Sequence, residues 1–256
     1  MSNKRSYLPL HKLTNRVKAR KPIHKPNIIP IVPATFCLNN YRNFTYDQGQ
    51  LGSCTANAFC ASYRLQNVIQ NKNVGFEPSR LYFYYNERVV ENSVNQDAGA
   101  DVVDGEKFVQ VHGVCSEQSW PYDVTKFAVK PPANCNVEAL QHKISSFSVI
   151  PNDANLVNNI KHALLNKQPV LIAITVYDSF ESDVVASTGL VPIPNIATDK
   201  CVGGHEMCLI GYDDNRKLFT VLNSWGQNWG VNGLCYIPYD YLSNPDLGYE
   251  FTVFNV

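Results

Sequence analysis

Charge is scarce and unevenly placed in this 256-residue sequence: only 17% of positions are Asp, Glu, Lys or Arg, and no acid precedes Asp47. So low a charged fraction, beside fourteen tyrosines and twelve phenylalanines, excludes a disordered chain and a long coiled coil. Long apolar runs are missing too. None approaches the roughly 20 residues that a spanning helix needs, so no membrane partner is expected. The N-terminal stretch lacks the apolar segment of about 7 to 15 residues that marks a secretory signal, so an intracellular location is the expectation. No Cys-x-x-Cys occurs, and the closest pairs, Cys54/Cys60 and Cys201/Cys208, lack zinc-ligand spacing; no metal or other cofactor is expected. Internal repeats and low-complexity segments are also absent.

What is present is ample material for a core, with 45% hydrophobic residues, and a strong asymmetry of charge. Nine of the 22 basic residues lie before Asp47, leaving 13 against 22 acids and a net charge of −9 for the remainder. A basic leader is thus attached to an acidic body. Pro22, Pro26, Pro30 and Pro33 punctuate the junction and favour an extended chain there. Eight cysteines would suit the disulfide framework of a short secreted chain, but this chain is neither short nor marked for secretion; with Cys54 set aside, seven remain and at least one stays unpaired.

The first half of the body reads as helix. Ala58, Ala61, Leu65 and Val68/Ile69 keep helical spacing after Gly52-Ser53, "SRLYFYYNERVV" and "DVVDGEKFVQVHG" follow, and Gly113 is placed to end the third helix. After one more helical segment, "ANLVNNIKHALLN", come "PVLIAITVY", "HEMCLIGYD", "KLFTVLNSW", "LCYIPYDY" and "GYEFTVFNV", all strand-like. Helices first and strands second predict an α+β protein with a cleft between a helical and a β lobe.

One cysteine has a special setting. In "QGQLGSCTANA", Cys54 begins a predicted helix with Ser53 as its expected cap, where helix-terminal N–H groups favour a thiolate. Free cysteine is also among the most commonly buried residues, so an inert thiol is the more ordinary reading of that stretch taken alone. Of six histidines, His11 and His24 lie in the leader, and His112, His142 and His162 sit on predicted helices as solvated residues. His205 differs: it follows Gly203-Gly204 at the head of an apolar strand. Asn223 lies eighteen residues further on, the separation expected if two antiparallel strands meet across the turn at "DDNRK". A turn residue that merely closes a strand is the other reading of Asn223.

Together these residues carry a resemblance. Gln48 precedes Cys54 by six; Gly52-Ser53 immediately precede it; Gly204-His205 begin a strand; Asn223-Ser224-Trp225-Gly226 lead to Trp229-Gly230 and Asn232-Gly233; and "GVCSEQSWPY" spans 113–122. From about Pro33 to Val256 the sequence resembles the papain and cathepsin family of cysteine peptidases, in a divergent branch. The departures are Leu51 and Thr55, where the family usually has a disulfide cysteine and a tryptophan, and Gly99-Ala100 in place of a Gly-Gly pair. Cys54 is separated from His205 by 151 positions and from Asn223 by 169, against roughly 130 to 150 in the family.

The resemblance implies a papain-like two-lobe fold, with a helical left lobe, an antiparallel β-barrel-like right lobe and the active-site cleft between them. It implies peptide-bond hydrolysis through a thioester acyl-enzyme: Cys54 as nucleophile, His205 as its acid and base, Asn223 orienting His205, and Gln48 as oxyanion donor. Gly99, Gly204 and Trp225 are the expected substrate-binding residues, and a peptide or protein is the expected partner. Residues 1–32 are expected to be a basic leader, either a short propeptide able to inhibit within the molecule, as in a zymogen, or a disordered tail; 33–146 are the expected helical lobe and 147–256 the expected β lobe. No His-His pair falls between Gly113 and Cys135, which favours endopeptidase action. The alternative is an inactive papain-like scaffold whose leader binds anions. Nucleic acid is not expected, because the nine basic residues lack interleaved aromatics.

Overall fold

The computed structural model of the chain describes residue 7 and residues 23–256. Most of the expected leader, residues 1–6 and 8–22, lies outside the described residues. The elements are β1 (Thr35–Cys37), α1 (Cys54–Ile69), α2 (Arg80–Val90), α3 (Val102–His112), α4 (Ala133–Ala139), β2 (Ser146–Val149), α5 (Leu156–Leu165), β3 (Val170–Tyr177), α6 (Asp183–Thr188), β4 (Cys201–Asp213), β5 (Leu218–Leu222), β6 (Leu234–Pro238), α7 (Tyr239–Ser243) and β7 (Gly248–Asn255). Among the described residues no helix is long and apolar enough to cross a membrane.

The architecture is α+β in two lobes. Thirteen of the sixteen residues of α1 are buried, because α2 and α3 cover one side and β4 the other. An apolar or small surface all round is what such a central helix requires. Phe59 is its anchor: the ring stacks on Phe83 of α2 at 4.2 Å and on Phe254 of β7 at 4.6 Å, joining helices to sheet. Burying one such ring contributes about 1.5–3 kcal/mol. α3 ends at Gly113, whose φ of 78° and whose absent Cβ, which would stand 1.6 Å from the Ala139 carbonyl oxygen, leave room for nothing larger.

The sheet runs β2-β7-β3-β4-β5-β6, with β1 pairing with β4, and every pairing is antiparallel. β2 and β6 are its two ends, so it stays open; the expected barrel-like closure is not formed. The visible leader follows the β2 edge. Ile23 bridges Val149, and the His24 N–H donates to the Val149 carbonyl at 2.7 Å. All eight cysteines, each among the described residues, are free thiols.

Candidate active site

Cys54 is the first residue of α1, as its setting predicts, but the cap differs. Ser53 occupies the N-cap position without a side-chain cap bond; its hydroxyl pairs with Tyr122 Oη, which in turn donates to the Gln48 carbonyl at 3.0 Å. The helix start is thereby held by the Pro-Tyr segment rather than capped in the usual way. Opposite it lies β4: the backbone N–H groups of Glu206 and Thr55 point at the Cys54 sulfur. The thiol is fully buried, and burial pushes its pKa up to about 12, with the Glu206 and Glu87 carboxylates acting in the same direction. Desolvation here outweighs the helix-terminal preference for thiolate.

His205 lies within β4, four residues past its start, rather than at the strand's head. Its Nε2 is 2.7 Å from Asn223 Oδ1. That oxygen also accepts the Ser224 N–H at 2.8 Å, so Nε2 carries the proton and Nδ1 is the basic nitrogen. The pair forms because β4 and β5 are antiparallel neighbours and Asn223 is the residue directly after β5. Trp225 stacks over the imidazole at 4.9 Å and shields the bond from water.

Gln48 reaches this group by backbone stitching between distant segments. Its N–H donates to the Ser224 carbonyl at 2.9 Å, and Gly226 N–H donates to the Tyr46 carbonyl at 2.9 Å. Gly226 has φ 83°, with Asp47 Oδ2 3.0 Å from where a Cβ would stand. The Gln48 side chain is fixed at both ends: Oε1 accepts from the Ser224 hydroxyl at 2.6 Å and Nε2 donates to the Leu51 carbonyl at 2.9 Å. One amide N–H remains for a developing anion.

Of the expected substrate-binding residues, Trp225 lies against His205 and Gly204 directly precedes it in β4, opposite Thr175. Gly99 is buried with φ 64°, in the loop whose Asp97 carboxylate accepts the Gly52 N–H at 3.0 and 3.1 Å; that tie sets the loop beside the nucleophile turn. Of the histidines expected in solvent, His112 is exposed and lies over Phe108, whereas His142 is half-buried and stacks on Phe76. Sequence reading missed three contributors. Phe180 packs edge-on to Trp225 at 5.4 Å, Glu87 accepts from Thr55 at 2.5 Å, and Tyr7 of the leader stands over His205 and Trp225. Only the adjacency of Thr55 to Cys54 offered any signal.

The comparisons agree with this geometry. The family model for the papain family cysteine proteases matches residues 39–244. An uncharacterized peptidase C1-like protein of Acanthamoeba polyphaga mimivirus is 41% identical over 212 residues, covering 81% of this chain and 68% of its own. Falcipain-3 of Plasmodium falciparum is 24% identical over 227 residues, covering 80% of this chain; this chain spans only 39% of its length. Among solved structures, xylellain, a cysteine protease from Xylella fastidiosa, superposes with a TM-score of 0.88 at 32% identity, covering 98% of this chain and 96% of that one. Digestive procathepsin L 3 from the Tenebrio molitor larval midgut shares the fold, with a TM-score of 0.70 at 19% identity, covering 96% and 78%.

Proposed function

The chain belongs to the papain family of cysteine proteases, and from that premise we propose that it is an endopeptidase that cleaves peptide or protein substrates through a thioester on Cys54, with its N-terminal segment as inhibitor. The observation that carries the reading is the buried His205–Asn223 bond of 2.7 Å, on the strand whose backbone faces the Cys54 sulfur.

In this reading His205 Nδ1 takes the thiol proton, and the sulfur attacks the carbonyl carbon. The oxyanion receives the Cys54 backbone N–H and the remaining Gln48 amide N–H. His205 then returns its proton to the leaving amine as the C–N bond breaks. Water, deprotonated by the same imidazole, opens the thioester and releases the acid. Asn223 keeps the ring in the required tautomer throughout, and Trp225 keeps that bond dry. Gly99 and Gly204 line the cleft for the substrate backbone. The lobe division proposed is 33–146 and 147–256, with residues 1–32 as a short propeptide.

Cys54→Ala should abolish peptide hydrolysis and labelling by an epoxide or vinyl-sulfone cysteine probe, with the circular dichroism spectrum unchanged; residual hydrolysis in that variant rules the assignment out. Inhibition by the N-terminal segment is supported by Tyr7, which covers His205, and by the complete burial of Cys54. Tyr7→Ala in the full chain should raise the initial rate on peptides at least tenfold; an unchanged rate rules the inhibition out.

A further inference from the structure

The Tyr7 ring meets two others edge-on. Its centroid is 6.4 Å from that of His205 at an interplanar angle of 77°, and 6.4 Å from that of Trp225 at 86°. Its hydroxyl donates to the carboxylate of Glu181, the last residue of the turn Asp178–Glu181, whose Phe180 packs on Trp225 and Trp229. The result is a slot with His205 as floor, Trp225 as wall and Glu181 at its rim.

We propose that this slot receives the side chain of the residue that follows the scissile bond, that it selects tyrosine, and that Glu181 determines the selection. The proposal rests on the peptidase reading above. The imidazole must come within about 3 Å of the leaving nitrogen to protonate it. The residue carrying that nitrogen then sets its side chain against the same imidazole and Trp225, where the Tyr7 ring lies. Two perpendicular ring contacts favour a flat aromatic group. The carboxylate at the rim distinguishes among candidates of that shape: a phenol donates to it and a phenyl ring does not. A lysine or arginine also pairs with Glu181, but its charge lies beside the imidazolium that forms when His205 takes the thiol proton, and like charges that close repel. Tyr7 is therefore the chain's own copy of the preferred leaving-group residue.

The test uses the full chain with Tyr7→Ala, which removes the phenol ring from the slot, and four peptides differing only in the residue after the scissile bond. Tyrosine should be cleaved with kcat/KM roughly 3- to 10-fold above phenylalanine, the range for one hydrogen bond, with arginine and alanine lower still. Adding Glu181→Ala should bring the tyrosine-to-phenylalanine ratio to about one. A second readout needs no turnover: the Cys54→Ala/Tyr7→Ala chain, titrated by NMR, should bind tyrosinamide more tightly than phenylalaninamide, and Glu181→Ala should erase the difference. Turnover with a flat profile, or with arginine preferred, overturns the slot. No turnover on any peptide together with selective tyrosinamide binding overturns the peptidase reading and upholds the slot. Neither turnover nor selective binding overturns both.

Discussion

Gln48 is the residue at which structure adds most to sequence. Its side chain cannot turn, because Ser224 holds Oε1 and Leu51 holds one hydrogen of Nε2. Preorganisation of this kind gives an oxyanion donor its value, since no reorientation is needed as charge develops. Gln48→Glu keeps the acceptor for Ser224 but replaces the donor with a negative oxygen. Turnover should fall by roughly 10²–10³, the usual cost of a lost oxyanion donor, in kcat rather than KM; steady-state kinetics on one peptide series checks this, and a loss confined to KM contradicts it. Leu51 and Thr55, departures from the family pattern, also acquire physical roles. Leu51 supplies the carbonyl that fixes Gln48, and the Thr55 hydroxyl ties α1 to Glu87 of α2. Burial holds the Glu87 carboxyl well above the usual carboxylate range.

At the level of elements, the nucleophile turn is held by contacts that reach well beyond α1. Arg88 of α2 is completely buried, and its guanidinium donates to the carbonyls of Tyr84, Val94, Gln96 and Phe127. Val94 and Gln96 belong to the loop that carries Asp97, and Asp97 accepts the Gly52 N–H two residues before Cys54. Arg88→Met removes the donor that these carbonyls share. A loss of about 3–5 kcal/mol is expected, as for other broken buried charge contacts, which is roughly 10 °C in Tm for a chain of this size; calorimetry with Tm within 2 °C of the parent would refute this account of the loop. The same scale shows what the sequence made legible. Helical spacing marked α1, α2, α3 and α5, and the eighteen-residue gap predicted the His205–Asn223 pairing, because both signals are local or cross one turn. Glu181 and Tyr7 are 174 positions apart and sit on segments without periodicity, so nothing in the pattern of residues joined them. The open sheet went unforeseen for a similar reason: strand order and closure depend on pairing across the chain, not on the composition of each strand.

For the molecule as a whole, many buried titratable groups are neutral when protonated. Burial raises the thiols of Cys54, to about 12, and of Cys60, Cys208 and Cys235, together with the phenols of Tyr46, Tyr63 and Tyr84. Each group holds its proton more tightly folded than unfolded. Their contribution is complete below the unfolded thiol value of about 8.5 and is lost as pH rises toward the folded values. The opposite shifts act on the other side: His24 and His142, lowered by burial, give stability that is lost as pH falls through the ordinary histidine value. Tm should therefore stay nearly level around neutrality and fall steadily above about pH 9. Cys235→Ala isolates one group, since burial alone raises this thiol and the residue lies outside the site. The cavity it leaves lowers Tm equally at every pH, whereas the missing thiol makes the alkaline slope shallower. Scanning calorimetry from neutral to strongly alkaline buffer separates the two effects, and an alkaline slope identical to that of the parent chain contradicts the burial argument.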